Sequence, residues 1–193
     1  MKEFKNYLTD DGTEICAETK VLFGQCGANG AIHLAEIMEY CADYAIDLYA
    51  QKGFDRKKMN EMGYVQMVSR SSIHINSLPA ENQVMTVRVR EEKPEGVQLM
   101  RHYEFVSETG DILIEGKSLW VIVEPETRAI VAPGEFQCLA RTDRTSEFER
   151  KPGKIKLVEN LHKSNMIFQK LLKFLFHLQD QGLNTRILNI WFL

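Results

Sequence analysis

The chain has 193 residues, 44% hydrophobic and 26% charged, with a formal net charge of −3. That is enough apolar material for one sizeable core, and there is no basic excess for neutralising phosphate backbones, so nucleic acid is excluded as an expected partner. The polar N-terminus lacks the apolar core of a signal peptide, and no stretch reaches the roughly 18 apolar residues of a membrane span, so a cytoplasmic protein without membrane association is expected.

A first strand is expected over residues 14–23, where Ile15, Ala17, Val21 and Leu22 stand among polar neighbours. Gly24, Gly27, Asn29 and Gly30 then mark a turn. Residues 31–51 carry the strongest helical signal. Ile32, Leu34, Ala35, Met38, Cys41, Ala42, Ala45, Ile46 and Tyr49 recur at helical spacing and cover well over half the circumference. Such a helix is expected to be surrounded by protein, with Glu36, Glu39, Asp43 and Asp47 as its polar remainder. Gly53 is a fitting C-terminal cap. Residues 54–63 read as a short second helix or a capped loop.

Four strands are expected next, over residues 64–75, 83–92, 96–107 and 112–123. Met85, Val87 and Val89 alternate with Thr86, Arg88 and Arg90, a half-buried pattern. The intervening breaks suit hairpins, and residues 128–131 return briefly as a strand. One strand, a long apolar helix and an antiparallel series together require a sheet that curls around the helix. This is the α+β architecture of the hotdog fold. A lone hotdog leaves sheet edges open, so pairing into a homodimer or higher oligomer is expected.

Residues 1–135 are expected to form that domain, and residues 136–193 a linker and tail. Residues 141–153 are charged and turn-rich. Ile167, Leu171, Leu172, Leu175 and Leu178 fit one amphipathic helix. Cys16, Cys26, Cys41 and Cys138 follow no zinc or CxxC spacing and read as free thiols. His74 and His102 fall within strands without a metal-ligand companion pattern, so no metal site is expected.

Several runs, in order, carry a family resemblance. Cys26 to Tyr40 reads CGANGAIHLAEIMEY, Lys52 to Asp55 reads KGFD, and Met62 to Arg70 reads MGYVQMVSR. Leu78-Pro79, then SLWVI from Ser118 to Ile122, then Glu126-Thr127-Arg128 follow. Across roughly residues 10–135 this resembles the acyl-ACP thioesterases and related acyl-CoA thioesterases, which have two tandem hotdogs. The resemblance implies hydrolysis of acyl-ACP or acyl-CoA to free fatty acid in fatty acid metabolism, without a cofactor. In that family the second hotdog carries an Asp-x-Asn-x-His turn plus a downstream carboxylate or cysteine. The corresponding positions here are Gly27, Asn29 and Ala31, and only the Asn matches, as in a non-catalytic half. Lys151 to Leu157 resembles the lead-in to the second hotdog. The tail beyond it is too short for another domain, so a helical ending, a truncation or a shifted reading frame is expected.

Thioester hydrolysis needs a polarised carbonyl, an activated water and a held acyl chain. The N-terminal end of the long helix, at Gly30, Ala31 and Ile32, is expected to supply backbone donors for the carbonyl oxygen. His33 and Glu36, one helical turn apart, are the candidate bases. The alternative for Glu36 is a solvated or interface carboxylate, and for His33 a capping or packing side chain. Asn29 is a substrate-orienting candidate or a turn former. Cys26 and Cys41 have no companion acid and histidine at a telling spacing and read as small apolar residues. The competing reading of the whole chain is a non-catalytic domain that binds acyl groups or assembles with a partner.

Overall fold

Alternation of apolar and polar residues builds one antiparallel sheet, and an apolar stripe of helical period lies across it. The computed structural model describes residues 4–133 and 142–148. The elements in chain order are β1 (Asn6–Leu8), β2 (Glu14–Lys20), a 3₁₀ turn (Phe23–Gln25), α1 (Leu34–Ala50) and α2 (Arg56–Glu61). Then come β3 (Val65–Ile75), β4 (Val84–Glu95), β5 (Gln98–Ser107), β6 (Ile112–Glu124) and β7 (Ala129–Val131). The spatial order is β1-β2-β4-β5-β6-β3, and β7 pairs with the end of β6. β3 pairs only with β6 among the described residues, so its other edge has no described partner strand.

The concave face of this sheet holds the core. Ile15 of β2, Met85, Val87 and Val89 of β4, Leu99, Tyr103 and Phe105 of β5, and Ile114, Trp120 and Ile122 of β6 point to one side. They meet Ile37, Cys41, Ala45, Leu48 and Tyr49 of α1. Those five recur at i, i+4, i+8, i+11 and i+12, the stripe a helix needs to lie on a sheet. Each large aliphatic side chain buried there stabilises the fold by about 1.5–3 kcal/mol relative to exposure. At Gly116 of β6 the neighbouring strand comes very close: a Cβ there would lie 2.8 Å from the Ser72 carbonyl oxygen. Only glycine permits that approach. The chain therefore has the hotdog fold, a curled antiparallel sheet around one main helix.

The helix differs from expectation in two ways. It begins at Leu34, not Ala31, because residues 31 and 32 form extended bridges, Ala31 to Ala80 and Ile32 to Cys26. It is also buried along one stripe rather than all round. Leu34 is 57% exposed, and Asp43 is exposed on the opposite face. β2 stops at Lys20, and β4 runs on to Glu95. β1 is an additional three-residue edge strand.

Residues 142–148, expected as linker, lie against the outer face of the sheet. The Lys93 N–H donates to the Arg144 carbonyl at 2.7 Å, and the Ser146 N–H donates to Glu92 Oε1 at 2.7 Å. Phe148 packs against the His102 ring, with centroids 5.9 Å apart. The expected amphipathic helix through Ile167 to Leu178, and Cys138, lie outside the described residues. No helix among the described residues is long and apolar enough to cross a membrane.

Candidate active site

The turn before α1 is tied down almost completely by its own backbone. Gly27 N–H donates to the Ala31 carbonyl at 2.9 Å, and Gly30 N–H donates to the Gly27 carbonyl at 2.9 Å. Gly30 has φ +72°, a left-handed conformation that glycine adopts without steric cost. The Ala31 N–H donates to Asn29 Oδ1 at 3.2 Å. Asn29 thus closes the turn with its side chain, as asparagine does in Asx turns. The Ile32 and His33 N–H groups donate to the carbonyls of Pro79 and Gln25, each at 2.9 Å.

These bonds move the open donors along the chain. Gly30, Ala31 and Ile32, expected to face the carbonyl oxygen, all have their N–H groups engaged. The first helical bond runs from Ile37 to the His33 carbonyl, and the N-cap residue His33 makes no side-chain cap. The N–H groups of Leu34, Ala35 and Glu36 therefore have no acceptor among the described residues. They form the positive end of a 17-residue helix.

His33 and Glu36 do not meet. The exposed His33 ring folds back over Gly27: a Cβ built on Gly27 would lie 3.1 Å from His33 Cε1 and 3.2 Å from Asn29 Oδ1. Gly27, Asn29 and His33 thus share one small area. Glu36 turns the other way and accepts a hydrogen bond from Gln25 Nε2 at 3.0 Å. Gln25 also bonds the Tyr40 hydroxyl at 3.0 Å, and its Oε1 accepts from the Leu22 N–H at 2.9 Å. Thr19 Oγ1 lies 3.5 Å from the same hydroxyl. Sequence reading missed Gln25 and Tyr40. No spacing rule links a 3₁₀ turn to a helix one turn past Glu36.

The thiols lack the features of nucleophiles. Burial and the Glu81 and Glu36 carboxylates push the Cys26 thiol up, and full burial pushes Cys41 up strongly. On the outer face of the sheet, His102 does have carboxylate companions that its spacing in sequence hid. His102 Nε2 lies 2.8 Å from Glu115 Oε1, and Nδ1 lies 3.9 Å from Glu104 Oε1. A metal ion would need those three side chains. Glu104, however, is already shared by Arg90 at 3.3 Å and Arg88 at 3.7 Å, so fixed cations supply the balancing charge.

A second concavity opens between α1, α2 and the start of β3, with a volume of about 450 Å³. Ile46, Phe54, Met59, Val68 and Trp120 form its apolar walls. Behind it, Arg101 is fully buried and donates to Gln66 Oε1 at 2.8 Å. The guanidinium carbon lies 4.7 Å from the Tyr49 ring centroid and 4.4 Å from that of Trp120.

Residues 13–135 match the family model described as the acyl-ACP thioesterase N-terminal domain, and the chain belongs to that family. Among solved structures, an acyl-ACP thioesterase from Bacteroides thetaiotaomicron is similar in fold, with a TM-score of 0.67 at 15% identity over 88% of this chain and 78% of that one. A Lactobacillus plantarum structure described as an oleoyl thioesterase gives 0.63 at 18% identity over 80% of this chain. The present chain spans 61% of that protein's length. A DHNA-CoA thioesterase from Staphylococcus aureus gives 0.58 at 12% identity, covering 86% and 93% of the two chains. No curated protein sequence matches the chain.

Proposed function

We propose that the chain hydrolyses acyl thioesters, releasing a free fatty acid and the carrier thiol. The observation that carries this reading is Glu36, a half-buried carboxylate fixed by Gln25 beside the unfilled first turn of α1. The thioester carbonyl oxygen sits at the open N–H groups of Leu34, Ala35 and Glu36, where the helix favours developing negative charge. Gln25 occupies Glu36 Oε2, which leaves Oε1 for a water. Glu36 takes that water's proton as its oxygen attacks the carbonyl carbon. On collapse of the tetrahedral species the carbon–sulfur bond breaks, and Glu36 returns the proton to the leaving thiolate. No cofactor enters this balance. Asn29 holds the turn in place, and His33 stands at the entrance.

Family membership supports acyl-ACP as the carrier, with acyl-CoA sharing the same phosphopantetheine thioester. The edge of β3 that has no partner strand among the described residues supports a homodimer in which a second copy extends the sheet. On this reading the protein works in the cytoplasm, where both carriers occur. The test is thiol release from acyl-ACP and acyl-CoA by the purified full chain, above a buffer control. Loss of that release in Glu36→Gln supports the reading, and its retention overturns the role of Glu36.

A second reading is favoured by Gly27. The family's Asp-x-Asn-x-His turn belongs to its second hotdog, and the corresponding turn of this domain has Gly27 and Ala31 in place of the Asp and the His. On that reading the domain binds acyl groups or assembles with a partner without hydrolysis. It predicts saturable acyl-CoA binding with no thiol release.

A further inference from the structure

Gln66 reaches the 450 Å³ cavity between α1, α2 and β3 from a constrained position. Arginine has only donors, so the Gln66 carbonyl must face Arg101, and the amide orientation follows from that single bond. The opposite end, the Nε2 group, makes no hydrogen bond among the described residues, and Gln66 lines the cavity. Arg101 cannot swing away. It is fully buried between Tyr49 and Trp120, and Glu91 stands directly opposite it on the neighbouring strand. The guanidinium charge polarises the amide it binds and strengthens its N–H as a donor. A cavity with apolar walls thus carries, beside Asn60 and Tyr64 in its lining, one neutral donor whose orientation a buried cation fixes.

The surrounding charge narrows the ligand further. Asp43, Asp47 and Asp55 line the cavity, the first and last of them exposed, and Arg56 is the one cationic side chain in that lining. That excess of carboxylates repels an anion. We propose that this cavity receives an acyl chain bearing a neutral oxygen, keto or hydroxyl, along its length, and that the Gln66 N–H binds that oxygen. The acyl part rests on the thioester reading above, while the oxygen requirement rests on Gln66 and Arg101 alone. α1 makes the connection: Ala42, Ile46 and Ala50 line the cavity, and the open first turn begins eight residues before Ala42. At 1.5 Å per residue that is about 12 Å, within reach of a medium-length chain. Arg101 is a positioning residue in this scheme, because it acts through Gln66.

The test compares 2-octanone with 2-methyl-1-octene, which puts a methylene in place of the oxygen. Each is titrated by NMR into the full chain. The ketone should bind about tenfold more tightly, the range of one hydrogen bond to a well-placed donor. Gln66→Glu keeps the contact with Arg101, so the chain stays folded, but removes the donor. The tenfold preference should vanish in that variant while the hydrocarbon binds as before. Equal binding of the two probes, binding of neither, or a preference that survives Gln66→Glu would overturn the proposal. A ketone preference without any thioester hydrolysis would overturn the hydrolytic reading and leave this one standing.

Discussion

Gln25 Nε2 donates a hydrogen bond to Glu36 Oε2 at 3.0 Å while Gln25 Oε1 accepts one from the Leu22 N–H at 2.9 Å. One side chain therefore locks the 3₁₀ turn to the first turn of α1 and aims the candidate base. Gln25→Leu keeps the bulk and removes both bonds. It is expected to lower kcat about tenfold with a smaller change in KM, since the carboxylate loses its orientation rather than its chemistry. Steady-state kinetics on acyl-CoA check this. An effect confined to KM would show that Gln25 serves binding only.

Acid sensitivity should come from the outer face of the sheet. Burial, reinforced by Arg90, holds the His102 pKa below its ordinary 6.5 against the pull of Glu115 and Glu104. The unfolded chain then binds more protons than the folded one below that pH, so stability falls as pH drops through 6.5 towards the lower folded value. Burial raises Glu92, but the Ser146 N–H and Lys117 together outweigh it and hold the carboxyl below its ordinary 4.5. Its contribution is present above 4.5 and is lost at lower pH. Urea midpoints are expected to fall between pH 7 and 5.5, and His102→Gln should flatten that interval alone.

Glu91 is a buried carboxylate that Tyr49 and Lys52 hold at 3.1 Å and 3.2 Å. Its side chain is 1% exposed and that of Lys52 is 13% exposed. Lys52→Met removes this ion pair from a carboxylate that stays buried. The cost should be about 2 kcal/mol, below the usual figure for a fully buried pair because Lys52 is partly solvated. That corresponds to a fall in Tm of roughly 4–8 °C for a chain of this size. An unchanged Tm would mean that the hydrogen bond from Tyr49 and the remaining surroundings of Glu91 suffice.

The architecture was legible because its signals are periodic. The strand alternation of Met85, Val87 and Val89 and the helical recurrence of Cys41, Ala45 and Tyr49 depend only on local spacing, and both mark the core. Glu36 was legible as a candidate for the same reason. The start of α1 was not, since Ala31 to His33 are good helix residues overridden by carbonyls of Pro79 and Gln25 from other parts of the chain. The sharing of Glu36 by Gln25, the hold of Arg101 on Gln66 and the meeting of His102 with Glu115 arise between elements. Each joins residues 11 to 35 positions apart, and a single sequence carries no spacing rule for them.

The most direct test is hydrolysis of a medium-chain acyl-CoA by the full chain, wild type beside Glu36→Gln, followed by thiol release under saturating substrate. With Glu36 as general base, the wild type turns over and the variant falls by about 10²-fold or more, while its thermal stability stays close to that of the wild type. Equal turnover by both would contradict the assignment of Glu36. Absence of turnover in the wild type, with acyl-CoA still bound, would contradict hydrolysis itself and support the non-catalytic reading that Gly27 and Ala31 favour.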